Sequence, residues 1–75
     1  MRPIYEIAAD IERAWAKVNF AARPYLDAMK CLDKPSDMYG CDDAKGICLY
    51  FLSNATSFRG EDARALKAEL KALLA

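Results

Sequence analysis

The residues that could support catalysis are few and poorly spaced for it. The chain contains no histidine, which removes the commonest general base and the usual Ser–His and Cys–His nucleophile pairs. Asp42 and Asp43 are adjacent, so they do not provide the opposed acid and base of a hydrolase, and helix capping explains them better. The isolated Gly40, Gly46 and Gly60 form no glycine-rich phosphate loop. We therefore predict that the protein is not an enzyme and has neither catalytic residues nor a cofactor.

The three cysteines are the residues that could bind a metal ion or form disulfides. Structural zinc sites typically use two close pairs of ligands, whereas six residues separate Cys41 from Cys48 and no second pair exists. Together with Cys31 they make an odd number, unlike the disulfide framework of a small secreted protein. We predict no metal site, with Cys48 in the core, Cys31 packed on its helix and Cys41 exposed in a loop.

The sequence predicts a single domain spanning residues 1–75 in the cytoplasm. The first ten residues, MRPIYEIAAD, carry charges where a signal peptide would be apolar. The longest apolar run, Ile47–Leu52, is far shorter than the roughly 20 residues of a membrane span. Eleven basic and eleven acidic side chains cancel, which weakens long-range attraction to nucleic acid and to anionic lipid. We expect no membrane partner and disfavour a nucleic-acid partner.

Apolar periodicity predicts an all-α fold, a compact bundle of four short helices. The first runs from Pro3 to about Asn19, since Ile4, Ile7 and Ile11 begin one apolar face. The others are predicted over residues 25–32, from Asp42 or Asp43 to about residue 54, and over 61–74. Pro24 suits the first turn of the second helix, and an aspartate suits the start of the third.

The segment Ile47–Leu52 fits two structures. Six consecutive apolar residues are compatible with a buried strand or with a buried helix. A lone strand leaves its backbone hydrogen-bonding groups without partners, and the sequence contains no second convincing strand. We predict a helix that is apolar on nearly all sides and is the most buried of the four.

Large aromatic side chains are numerous for so short a chain, and a small bundle cannot bury all of them equally. We predict that Trp15, Tyr50 and Phe51 lie in the core, while aromatic rings on the connections stay exposed. Exposed rings beside an acidic loop are typical of a protein interface. The predicted protein-binding residues are Asp37, Tyr39, Asp42, Asp43 and Phe58. The same surface would allow a homodimer.

A basic face on the last helix supports an alternative function. Arg64, Lys67 and Lys71 share one face, and Arg59 precedes them, as in a helix that reads nucleic acid. Acidic residues interleave with this stripe, which is also typical of a solvated helix face. The alternative prediction is a nucleic-acid-binding regulator that uses these four residues.

Three segments carry a resemblance: Arg23–Met29 (RPYLDAM), Tyr50–Ala55 (YFLSNA) and Phe58–Arg64 (FRGEDAR). With them, most of the chain resembles small proteins of unknown function encoded by phages, prophages and other mobile DNA such as integron cassettes. The resemblance implies no activity and no functional residues. It implies a context, because small proteins on mobile DNA often bind and block one host or phage complex, as anti-CRISPR proteins do. We expect an adaptor or inhibitor of a protein complex, with a nucleic-acid regulator or a homo-oligomeric structural protein as alternatives.

Overall fold

The computed structural model describes residues 2–75, which form four α-helices and one small antiparallel sheet. The helices are α1 (Ile4–Ala14), α2 (Arg23–Met29), α3 (Ala44–Ser53) and α4 (Glu61–Leu74). The strands are β1 (Met38–Tyr39) and β2 (Asp42–Asp43). The prediction of four helices is confirmed, but the all-α class is wrong in one respect, since a hairpin stands between α2 and α3.

Helix α1 begins without a side-chain cap, because the residue before it is Pro3. Its first free N–H groups are instead bonded by distant carbonyls: Ile4 donates to Asp33 and Tyr5 donates to Leu32, both at 2.9 Å. Free N–H groups at a helix start need such partners. The chain that follows α2 is thereby joined to the start of α1.

Helix α1 ends earlier than periodicity predicted, so its expected continuation to Asn19 is wrong. Trp15 has extended backbone angles, φ −104° and ψ 91°, which direct its ring into the core. The Asn19 side chain then accepts a hydrogen bond from the backbone N–H of Ala22 at 2.8 Å. An asparagine that bonds nearby backbone in this way competes with helix formation.

The hairpin is the element that the sequence analysis missed. Tyr39 pairs with Asp42, and Met38 pairs with Asp43. Gly40 has φ 65°, while Cys41 keeps a negative φ, the pattern of a two-residue type II′ turn. Glycine adopts the positive φ without the steric penalty of a Cβ. Two residues per strand are too few for a visible alternation of apolar and polar side chains, so only the Gly-X turn could have indicated this hairpin.

The start of α3 follows directly from the hairpin. The Asp43 side chain accepts from the N–H of Gly46 at 2.8 Å, which confirms an aspartate cap. Two further N–H groups are bonded by the preceding chain: Ala44 donates to the Asp37 carbonyl at 2.7 Å and Lys45 donates to the Pro35 carbonyl at 3.1 Å. The first turn of α3 and the chain before it are therefore held in one arrangement.

The core brings the buried faces of all four helices together around an aromatic cluster. Trp15 stacks on Phe58 with ring centroids 5.1 Å apart and meets Phe51 edge-on at 6.2 Å, both favourable geometries. Helix α3 packs mainly against α2, and α4 packs mainly against α1. The predicted helix over Ile47–Leu52 is confirmed. Its predicted burial on nearly all sides is wrong, because α3 buries only one face.

Across residues 2–75, no helix has both the length and the apolar character that crossing a membrane requires.

Arg2 joins α1 to α4 through two carboxylates. Its guanidinium bonds both oxygens of Glu69, at 2.7 and 2.9 Å, and one oxygen of Asp10 at 2.6 Å. Arg13 also contacts Asp10. The hydrogen bonds from Arg2 lower the pKa of both carboxyl groups below their ordinary values, because they favour the ionised form.

Replacing Phe51 with alanine should destabilise the protein by about 3–5 kcal/mol, because it removes a fully buried ring and leaves a cavity. Phe20→Ala is the matched control, since Phe20 is 91% exposed and its loss should change stability by no more than about 0.5 kcal/mol. Urea unfolding followed by circular dichroism measures both. Equal losses in the two variants would contradict the core described above.

Acid should destabilise the protein in a way that depends on Arg2. Folding lowers the pKa values of the Asp10 and Glu69 carboxyl groups. In acid the unfolded chain therefore binds more protons than the folded protein, and the free energy of unfolding decreases. The stabilisation is present above the ordinary pKa values of 3.8 and 4.5 and is lost as the pH falls through and below them. Arg2→Gln should flatten the dependence of Tm on pH in this range. Arg64→Gln, which removes a cation that forms no ion pair within residues 2–75, should keep the wild-type slope.

Candidate interaction surfaces

Phe58 does not lie on the surface, and its prediction as a protein-binding residue is wrong. The connection between α3 and α4 folds back so that this ring stacks on Trp15, and only 3% of the residue is exposed. The Lys67 ammonium lies 5.6 Å from the ring centroid and donates to the Phe58 carbonyl at 2.6 Å. Periodicity could not reveal this burial, because Phe58 belongs to no helix or strand.

Two of the predicted acidic contact residues have structural roles. Asp37 accepts hydrogen bonds from the backbone N–H groups of Asp33 at 2.9 Å and Lys34 at 3.1 Å, and these bonds lower its pKa. Asp43 caps α3, as described above. The Asp42 carboxylate forms no hydrogen bond or ion pair with any residue of the described chain, 2–75. Of the three, only Asp42 is left entirely to solvent or to a partner.

The hairpin presents apolar side chains beside that carboxylate. Met38 is 61% exposed and Tyr39 is 49% exposed, and Tyr39 lies directly opposite Asp42. Cys41 is exposed in the turn. We call Met38, Tyr39 and Asp42 the hairpin tip. The predicted contact residues Tyr39 and Asp42 thus share one face of the hairpin, and Met38, which was not predicted as a contact residue, lies on the opposite face.

The outer face of α3 is unexpectedly apolar. Leu49 is 48% exposed and Tyr50 is 56% exposed, so the predicted core position of Tyr50 is wrong. Ile47 and Phe51 take the side of α3 that meets the core, and a helical turn then places Leu49 and Tyr50 away from it. Tyr50 stacks on Tyr25 of α2 with centroids 5.6 Å apart. An almost wholly apolar helix carries no sequence signal for which side faces outward.

A groove runs between α3 and α4. Leu49 and Leu52 provide apolar side chains on the α3 side, and Lys67 and Lys71 provide cations on the α4 side. The full lining consists of Leu49, Leu52, Ser53, Thr56, Lys67 and Lys71. We call this the α3–α4 groove. The groove exists because α3 packs mainly on α2 and α4 packs mainly on α1, so that α3 and α4 make few contacts with each other.

The predicted basic face exists and is not neutralised. Arg59, Arg64 and Lys67 line a shallow depression at the start of α4. Lys67 and Lys71 then line the α3–α4 groove. Within the described part of the chain these cations form no ion pairs; the paired bases are Arg2, Arg13, Arg23 and Lys30.

Two of the acidic residues interleaved along α4 lie away from this face. Glu69 is bound by Arg2, and Asp62 lies beside Arg13 and Asp10 on the side of α4 that meets α1. Lys67 is the most enclosed of the cations: it also donates to the Ala55 carbonyl at 2.7 Å. The pKa of the Lys67 ammonium group is lowered, mainly by burial and to a smaller extent by the nearby positive charges of Lys71 and Arg59. Lys67 therefore has a structural role in closing the α3–α4 connection.

The three cysteines differ in burial. Cys48 is fully buried, as predicted, and burial raises the pKa of its thiol to about 11, which keeps it protonated and unreactive. Cys41 is exposed, as predicted, whereas Cys31 is exposed instead of packed. No group of three or more potential metal ligands comes together among residues 2–75.

No protein-family model, curated protein sequence or solved structure matches the chain. The expected origin in phage or mobile DNA stays a prediction.

Asp43 and Asp42 are adjacent but should respond differently to substitution. Asp43→Ala removes the cap of α3 and should destabilise the protein by about 1 kcal/mol. Asp42→Ala removes a carboxylate that bonds nothing in residues 2–75 and should change stability by less than about 0.5 kcal/mol. Thermal unfolding followed by circular dichroism distinguishes the two. A larger loss for Asp42→Ala would contradict the assigned cap.

Proposed function

We propose that this protein is a non-catalytic interaction module that binds a partner protein and acts as an adaptor or inhibitor of a host or phage complex. The supporting observation is the outward apolar face of α3, where Leu49 and Tyr50 are each about half exposed. Neighbouring apolar side chains that form a patch on the surface are typical of interaction sites, whereas single exposed apolar side chains are not. We name Leu49, Tyr50 and Tyr25 the α3 outer face.

The chemistry of the α3 outer face suits a protein partner. Tyrosine is enriched in interface cores, where its ring supplies apolar area and its hydroxyl bonds a partner. The stack of Tyr50 on Tyr25 restricts both rings before binding, which reduces the entropy lost on association. Ser53 follows on the same helix and is exposed, so polar groups border the apolar surface, as they do at the rim of an interface.

Nucleic-acid binding is the second candidate, and a specific observation favours it. Arg59, Arg64 and Lys71 are exposed cations without ion pairs in residues 2–75, and cations of this kind bind phosphates. Against it, Lys67 already bonds two carbonyls, and the whole chain carries no net charge. Any such binding would therefore be weak at physiological salt.

The test is affinity capture from a lysate of the cells that express the protein, with and without nuclease, followed by mass spectrometry. Wild type and Phe20→Ala should capture the same stoichiometric protein, because Phe20 lies on the α1–α2 connection outside the α3 outer face. Tyr50→Ala should lose most of that capture, and its circular dichroism should stay unchanged because the side chain is largely exposed.

Three other outcomes would contradict the proposal. If the Tyr50→Ala variant still captures the partner protein, the α3 outer face is not the binding surface. Capture that disappears with nuclease, and with the combined Arg59→Gln and Arg64→Gln substitutions, would establish the nucleic-acid function. Recovery of the protein alone would favour a homo-oligomeric structural role.

A further inference from the structure

The hairpin segment carries an excess of acidic side chains, whereas unpaired cations of the described chain lie on α4 beside the α3–α4 groove. Residues 33–45, which include the hairpin and the first two residues of α3, contain four aspartates and two lysines. Arg59, Arg64 and Lys71 follow α3, on the α3–α4 connection and on α4, and form no ion pairs within residues 2–75. The zero net charge of the chain is therefore unevenly distributed.

The α3–α4 groove combines apolar and basic groups. Leu49 and Leu52 form its apolar part. Lys71 is exposed and has no carboxylate partner within residues 2–75. An occupant of this groove should therefore present apolar side chains together with a carboxylate.

The hairpin tip presents that combination. Met38 and Tyr39 are about half exposed or more, and the Asp42 carboxylate beside Tyr39 is unpaired in the described chain. The two-residue turn makes the tip narrow, since only Gly40 and Cys41 join the strands. No hairpin residue lines the groove of its own chain.

We propose that the hairpin tip of one copy docks into the α3–α4 groove of a second copy. Tyr39 then contacts Leu49, and Asp42, on the same face of the hairpin as Tyr39, pairs with Lys71. One contact covers two exposed apolar surfaces and matches opposite charges, which steers association and sets its orientation. This contact goes beyond the proposed function: it uses Leu49, which the groove shares with the α3 outer face, and leaves Tyr50 and Tyr25 for a different partner protein.

The charges favour a head-to-tail contact of tip with groove over a contact between like surfaces. Groove against groove would bring Lys71 close to Lys71, and tip against tip would bring Asp42 close to Asp42. Head-to-tail contacts leave a free tip and a free groove at the two ends. Such contacts generate rings where the rotation closes and open chains where it does not.

The test is a charge swap measured by sedimentation velocity over a range of protein concentrations. The average mass of the wild type should rise with concentration at low salt and fall as salt is added, because salt screens exposed charges. Asp42→Lys and Lys71→Asp should each weaken association about five- to tenfold or more, since each places like charges in contact. The double variant should associate again, because it restores the pair with exchanged signs. Lys17→Asp, on the α1–α2 connection, should behave as the wild type.

Disulfide trapping places the contact independently of charge. In a Cys31→Ser background, Cys41 is the exposed thiol at the hairpin turn. Adding Ser53→Cys, whose position lines the groove, should give disulfide-linked dimers on oxidation with diamide. Ser57→Cys is the matched control: it is exposed but lies beside Asn19, outside the groove, and should give few.

Several results would overturn the proposal. If the wild type remains monomeric at the highest concentration, self-association is excluded. That result would not affect the proposed binding of a partner protein at Tyr50. If both single variants still associate as the wild type does, or if the double variant does not associate again, the contact between copies does not involve the Asp42–Lys71 pair. Loss of a captured partner protein in Lys71→Asp while the wild type stays monomeric would assign the groove to that partner.

Discussion

The free N–H groups at the starts of α1 and α3 are the constraint on which the rest of the structure depends. Helix starts leave N–H groups without partners inside the helix, and here one segment between α2 and α3 bonds both sets. The carbonyls of Leu32 and Asp33 serve α1, and those of Pro35 and Asp37 serve α3. The end of α2, the hairpin and two helix starts are thus one hydrogen-bonded unit. The hairpin tip projects from it because its base is held on both sides.

The aromatic cluster decides which rings remain available to a partner. Trp15 leaves α1 on extended backbone, and Phe58 and Phe51 pack against it. Once Phe51 points inward, Leu49 and Tyr50 of the same helix must point outward. The core arrangement therefore creates the α3 outer face, and the surface follows from the packing instead of from an independent choice of residues.

Charge pairing determines which charged side chains stay without partners in residues 2–75. Arg2, Arg13, Arg23 and Lys30 are bound by carboxylates of α1, α2 and α4. This pairing neutralises Glu69 on α4 and leaves Asp42 at the hairpin tip and Lys71 beside the groove without ion pairs in residues 2–75. Individual unpaired charges of both signs suit oriented binding to a protein more than diffuse attraction to a polyanion.

Local patterns along the chain are enough to place the four helices, although not all of their ends. Apolar periodicity located α1 and α4, the aspartate cap located α3, and the missing pairing partner identified Ile47–Leu52 as helix. Only the tertiary structure decided where α1 ends, that Phe58 is buried and that Tyr50 is exposed. The physical reason is that periodicity and caps are local signals along one element. The stacking of Phe58 on Trp15, the inward side of an apolar helix and carbonyls that cap a distant helix depend on neighbours remote in sequence. The candidate surfaces consist of the side chains that remain exposed after the core has packed.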